Sequence, residues 1–455
     1  MTPATRTLYL EQALLPDGWR RGVRLTIAAG VISAIEIDVA AEAGDERHAF
    51  AVPGFANVHS HAFQRAMAGL AERRGPGDDS FWSWRETMYR FALTMNPEQM
   101  EAVAAQAYAE MLEAGFTCVG EFHYLHHAPD GQRYDDVAEM SARIAAAAAQ
   151  TQIGLTLLPV FYAHSDFGGA PPSAAQRRFV CELETYAQLV EGARRALASL
   201  PGANLGLAPH SLRAVSPAEL VAVVELAESA PIHMHVAEQV AEVDACLAWS
   251  GARPIEYLLD QASVDARWCL VHATHMTALE TRRLAANRAI VGLCPITEAN
   301  LGDGVFEAPE FLNHGGRFAI GTDSNVQISL SGELRMLEYG QRLTRRARNV
   351  LAAPGGSTGR ALIDGAQAGG SVALGRSGAG LSRGADADIV TLRGDMLSGL
   401  GGDADATLDA WIFSGAAKVD CVYARGRPVV QDGAHVAREP IRARFRAAMH
   451  QLLTN

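Results

Sequence analysis

The sequence predicts an α/β chain: a (β/α)8 TIM-type barrel carrying a small β-sandwich domain built from both termini. Three observations predict it. Eight apolar stretches alternate with helical ones between about residues 52 and 321, the pattern of a parallel sheet wrapped by helices. Short alternating stretches occupy both ends of the chain. Histidines and carboxylates follow the apolar stretches directly, at the C-terminal strand ends where such barrels build their sites.

Residues 1–52 place Leu8 and Leu10 before Pro16-Asp17-Gly18, then Val23, Leu25 and Ile27 before Ala29-Gly30, then Val31, Ile32 and Ile35. This is the texture of a β meander. It returns after about residue 384, at 387–392 and 422–430, and the two ends are expected to pair, protecting each other's edges. A closing helix is expected from about Ile441. The barrel is assigned to 53–383, with strands near 52–58, 116–122, 153–161, 204–208, 231–236, 269–272, 289–293 and 317–321. Asn96-Pro97-Glu98-Gln99 is a capping-box-like helix start, followed by a stripe of Val103, Ala107 and Met111 that Gly115 ends. An open doubly wound sheet is the alternative, but no Gly-x-Gly-x-x-Gly follows a first strand.

With 455 residues, 49% hydrophobic and 20% charged, the chain can bury a large core. A net charge of -12 argues against a general nucleic-acid surface, and no apolar run is long enough to span a membrane. Six scattered cysteines without Cys-x-x-Cys spacing fit reduced thiols in a cytoplasmic protein, and the N-terminus lacks a secretion pattern.

The chemistry centres on Val52 to His61, an apolar run ending in His-x-His. Alternation on a strand sends His59 and His61 to one face. His235, at the end of its own strand, and Asp323, after the last one, complete three nitrogen donors and one carboxylate, leaving room for water on zinc or another divalent ion. Glu238 stands three residues beyond His235, placed to shuttle a proton to a leaving amine; alternatively it only favours a helix dipole. His272 is placed to meet the water or a developing oxyanion, and Asp323 to combine ligation with accepting the water proton. His123, His126 and His127 offer a second metal site but are read as solvated loop histidines and left out of the site; Trp82 and Trp84 are read as packing, with shaping a lid the alternative, and the run 342–348 as a solvated helix face rather than a basic patch.

His-x-His on strand one, His-x-x-Glu on strand five, His on strand six and Asp on strand eight resemble the amidohydrolase superfamily, in its mononuclear deaminase branch. Flanking β segments split between the termini also resemble it, so the likeness covers nearly the whole chain. The binuclear branch commonly bridges its metals with a strand-four lysine. Here the fourth strand has none, and the one lysine, Lys418, falls in the terminal β domain. Residues 59–67, 80–89, 121–124 and 209–215 closely resemble the formimidoylglutamate deiminases of histidine degradation. That resemblance implies hydrolysis of N-formimidoyl-L-glutamate to N-formyl-L-glutamate and ammonia, one divalent metal (zinc) per chain, and a homodimer. It also implies Gln64, Arg85, Tyr124, His210 and Arg213 as substrate contacts. A substrate with two carboxylates suits paired guanidinium groups; the other readings are a solvated arginine at 85 and a loop ion pair at 213. The rivals are a deaminase of purine, pterin or adenosyl compounds, a catalytically dead binding barrel, and an amide or ring hydrolase.

Overall fold

The computed structural model describes residues 5–74, 80–376, 378, 380–394 and 404–454. The expected domain spans also take in 1–4, 75–79, 377, 379, 395–403 and 455, which lie outside the described residues. The chain is α/β, and its described residues form one mixed sheet and two parallel ones.

Both chain ends build the mixed sheet. Arg6–Leu15 pairs antiparallel with Gly18–Ala28 and parallel with Glu46–Pro53, which in turn pairs antiparallel with Ile389–Arg393. Lys418–Ala424 and Arg427–Gln431 extend the sheet from there. Period-two alternation divides its side chains between two cores. Ala51, Ile389 and Tyr423 join Leu8, Leu10, Val23 and Leu25 in a core of the sheet's own. Their neighbours Val52, Val390 and Val422 face the main core. The closing helix Arg438–Thr454 lies against Pro97–Glu113, where Gln99 Nε2 donates to Gln451 Oε1 at 3.1 Å. Pro97–Glu113 starts with the expected capping box between Asn96 and Gln99.

The parallel strands fall close to the expected positions. Phe55–Ser60, Phe116–His123, Gly154–Phe161 and Asn204–Leu205 form one sheet, with Ala208–Pro209 also paired to the third strand. Ile232–Val236, Trp268–His272, Ile290–Leu293 and Arg317–Ile320 form the other. Parallel bridges link the two at both margins, Leu207 to Ile232 and Ser211 to His235 on one side, Ser60 to Asp323 on the other. Helix Thr358–Ala373 packs across the last strand through Gly369, where a Cβ would stand 1.9 Å from the Phe318 carbonyl oxygen.

Two expected strands are broken. Residues 52–53 belong to the mixed sheet and the parallel strand begins at Phe55, because the chain changes sheets at Gly54, where a Cβ would meet Thr117 at 2.3 Å. The fourth strand is interrupted at Gly206, whose Cβ would lie 2.8 Å from the Pro231 carbonyl oxygen. No helix among the described residues is long and apolar enough to cross a membrane.

Candidate active site

His59, His61, His235 and Asp323 converge at the C-terminal ends of three strands. One donor atom from each lies within 4.8 Å of the others. Backbone pairing places them: Asp323 N–H donates to the His59 carbonyl at 2.9 Å, and His61 N–H to the Asp323 carbonyl at 2.9 Å. Asn325 Nδ2 holds the turn by donating to the carbonyls of His61 and Asp323, each at 3.1 Å.

The ring tautomers suit a cation. His61 Nδ1–H donates to the Phe122 carbonyl at 2.9 Å and His235 Nδ1–H to that of His210 at 3.1 Å, so both Nε2 lone pairs face inward. His235 Nε2 stands 3.0 Å from His59 Nε2, and the Asp323 carboxylate 3.3 Å from His61 Nε2. Burial, then neighbouring histidines, push His59 and His235 well below the ordinary imidazole range; burial also lowers His61, against the pull of Asp323. Neutral imidazoles beside a carboxylate are the donor set of a divalent first-row metal site.

Glu238 and His272 flank this cluster. His272 Nε2 lies 3.7 Å from Glu238 Oε1 and 3.7 Å from Asp323 Oδ2. Burial raises the Glu238 carboxyl to about 7; His272 opposes the rise, and Asp323 and Glu242 add to it. Burial disfavours charge on His272, yet Glu238, Glu298 and Asp323 together hold it well above the ordinary range. Glu242 accepts the backbone N–H groups of Ala237 and Glu238 at 3.2 and 3.0 Å, fixing the turn that presents Glu238. Left-handed backbone gathers here, at Ala237, His272, Ala273, Asp323 and Asn325. Such strain in non-glycine residues concentrates where a site demands it.

A cleft opens beside the cluster. Gln64, Arg85, Tyr124, His210 and Arg213 all line it, with Glu238, His272 and Asp323 at its floor. Arg213 is only 9% exposed, yet among the described residues it has no carboxylate within 4.0 Å and its Nε has no hydrogen-bond partner. Burial works against its charge, which Glu242, Tyr162 and Glu238 sustain from further away. Arg85 sits on helix Phe81–Ala92 with its guanidinium 4.5 Å over the Trp82 ring and 5.7 Å over Tyr89. Gln64 Nε2 donates to the Tyr124 hydroxyl at 2.9 Å, leaving the buried Gln64 Oε1 without a donor among the described residues. Burial, then Arg213, His61 and Arg85, keep His210 well below the ordinary imidazole range.

His123, His126 and His127 are not solvated, contrary to the expectation from sequence; all three are buried. His126 Nε2–H and His127 Nε2–H donate to the carbonyls of Val160 and Val180, and both backbones bond Arg178, whose loop covers them. Trp84 lines the cleft, whereas Trp82 is exposed beneath Arg85. The 342–348 run is mostly exposed, as expected. Sequence reasoning missed Glu242, Glu298 and Asp303, all buried beside Glu238 and His272. Glu298 and Asp303 follow the seventh strand, a strand end from which no candidate was taken; that position was the available signal.

The profile of the Amidohydrolase family matches residues 50–429, and that of the formimidoylglutamate deiminase HutF N-terminal domain matches residues 5–49. The chain is 48% identical to a formimidoylglutamate deiminase of Pseudomonas aeruginosa, over 98% of this chain and 99% of that one. It superposes on a crystal structure of an amidohydrolase from Brucella melitensis with a TM-score of 0.97 and 58% identity, covering 98% and 100% of the two chains. An adenosine deaminase from Xanthomonas campestris with bound zinc shares the fold at a TM-score of 0.81 and 21% identity, covering 100% of each chain.

Proposed function

The chain belongs to the amidohydrolase family, and from its likeness to a formimidoylglutamate deiminase we infer that it hydrolyses N-formimidoyl-L-glutamate to N-formyl-L-glutamate and ammonia in histidine degradation. One observation carries the reading. His61, His235 and Asp323 of the four-donor cluster share a cleft with Arg85 and Arg213, which have no carboxylate within 4.0 Å among the described residues and so suit a substrate with two carboxylates.

His59, His61, His235 and Asp323 would hold one divalent ion per chain, zinc in our reading; when bound, such an ion brings the pKa of water towards neutrality and makes hydroxide available. Arg85 and Arg213 clamp the substrate carboxylates, with His210 and the Tyr124 hydroxyl beside them. The Gln64 carbonyl oxygen accepts a formimino N–H. Asp323 takes the proton of the attacking water, assisted by His272, as its oxygen bonds to the formimino carbon. Glu238, which burial keeps partly protonated near neutrality, passes a proton to the terminal nitrogen. The hydroxyl proton left on the added oxygen returns to Glu238 while the proton held by Asp323 reaches the same nitrogen; the carbon–nitrogen bond then breaks, its electron pair leaves with ammonia, and the carbon retains the oxygen as a formyl group.

We read the two parallel sheets, linked at both margins, as one (β/α)8 barrel over 53–383, and the mixed sheet from 1–52 and 384–455 as a sandwich-like domain. A cytoplasmic homodimer completes the reading; the six unpaired cysteines suit a reducing compartment.

The test is ammonia release by metal-replete protein from N-formimidoyl-L-glutamate, N-formimidoyl-glycine, adenosine and guanine. Rapid release from the glutamate derivative alone is expected. Release from a purine instead would overturn the substrate, and one metal per chain with no turnover of any would overturn the reaction.

A further inference from the structure

We propose that Glu298 is a positioning residue for His272, fixing the tautomer and orientation of its ring so that Nε2 faces the reacting centre. The proposal rests on the hydrolytic reading above. Glu298 is buried on the short helix Pro295–Leu301, directly after the seventh strand. Its Oε1 lies 3.2 Å from His272 Nδ1. With the carboxylate oxygen as acceptor, Nδ1–H is the donor of this bond and the opposite nitrogen is the one left to exchange protons. That nitrogen is the atom lying 3.7 Å from both Glu238 and Asp323.

Hydrogen bonds of Glu298 and of its neighbours in the segment make it a fixed support. The same Oε1 accepts the Cys294 N–H at 2.9 Å, which pins the carboxylate to the end of its own strand. Thr297, next in the helix, bonds Ser324 Oγ at 3.0 Å and donates to the Thr322 carbonyl at 3.2 Å, tying this turn to the one that carries Asp323. The backbone N–H of Asp303 donates to the Glu298 carbonyl at 2.9 Å, and the Asp303 side chain accepts from Gln239, the residue after Glu238. The His272 backbone is left-handed, at φ +69°, so the main chain alone is a poor guarantor of the ring's direction. One ten-residue segment thereby reaches the supports of His272, Glu238 and Asp323.

A purely structural role, anchoring the Cys294 N–H, predicts loss of stability and nothing specific at His272. The positioning role predicts a separable signature. In Glu298→Ala, kcat is expected to fall about 10- to 100-fold, the range for losing a ring-orienting partner, with KM and metal content unchanged. Glu298→Gln, which keeps an acceptor oxygen, should recover most of that loss. The direct readout is the His272 ring N–H proton in 15N-histidine-labelled protein, assigned by its disappearance in His272→Asn. It should be downfield and protected in the parent, lost to exchange in Glu298→Ala, and restored in Glu298→Gln. An unchanged ring proton in Glu298→Ala, or a KM change without a kcat change, would overturn the assignment. The ring proton reports whether or not the parent releases ammonia, so failure of the hydrolytic reading would show separately, in the parent's own turnover.

Discussion

The molecule buries two groups of histidines, and of the two only one gathers a metal donor set. In the first, His61 and His235 give their Nδ1 protons to carbonyls and turn their Nε2 lone pairs towards His59 and Asp323. In the second, His126 and His127 spend Nε2 on carbonyls of different segments. The charges beside them differ as well. Asp323 sits among the first group, while the guanidinium of the fully buried Arg178 sits by the second. Among the described residues the first forms a four-donor cluster and the second forms none. Histidine density therefore says little; which nitrogen remains, and what charge faces it, decides.

The sharpest way to break this comparison is to exchange the losses. His235→Ala is expected to abolish metal binding and lower kcat/KM by about 10³-fold or more, since metal-ion catalysis supplies several kcal/mol of transition-state stabilisation. His126→Ala should keep one metal per folded chain and a near-parental rate, losing stability only. Metal analysis beside steady-state kinetics checks both. A folded His126→Ala protein without metal would merge the two groups.

Within the first group, Glu238→Gln separates proton delivery from binding. It should reduce kcat about 10²- to 10⁴-fold with little change in inhibitor affinity. Equal losses in both would make Glu238 a binding residue. Arg213→Met is the counterpart at the cleft wall. Removing a buried charged hydrogen-bond donor costs about 1.5–3 kcal/mol, so KM should rise roughly 10- to 100-fold while kcat holds. A KM unchanged for the glutamate derivative would take Arg213 out of substrate recognition.

Much of this arrangement was legible in the sequence because it depends on short spacings. His59 and His61 share a face by strand alternation, and the strand ends that carry His235, His272 and Asp323 follow from apolar runs of ordinary length. Arg85 with Trp82 and Tyr89, at three and four residues along one helix, also follows helical spacing. What escaped depends on distant chain. The burial of His126 and His127 is imposed by the backbone of Arg178, some fifty residues on. The sheet change at Gly54 depends on Thr117, and the support of His272 by Glu298 on the neighbouring strand. No local periodicity encodes such contacts.

The smallest expected effect tests the second group's own character. Burial, with Arg178 next in weight, lowers His123 to about 3, so it stays neutral in the folded chain far below the ordinary imidazole value near 6.5. Between those values the unfolded chain binds a proton that the folded chain refuses, so stability rises with pH across that window. Acidification from about 6.5 towards 3 therefore removes up to about 1.4 kcal/mol per pH unit on account of this residue. His123→Gln, which cannot titrate, should be less stable than the parent at pH 7 yet lose stability less steeply on acidification. Urea unfolding at half-unit steps from pH 7 to pH 4.5 measures the slope difference, expected to approach one proton. Parallel slopes would mean that His123 is charged in the folded protein. A counter-ion would then have to lie beside Arg178, and the second group would no longer be the neutral, carbonyl-pinned opposite of the first.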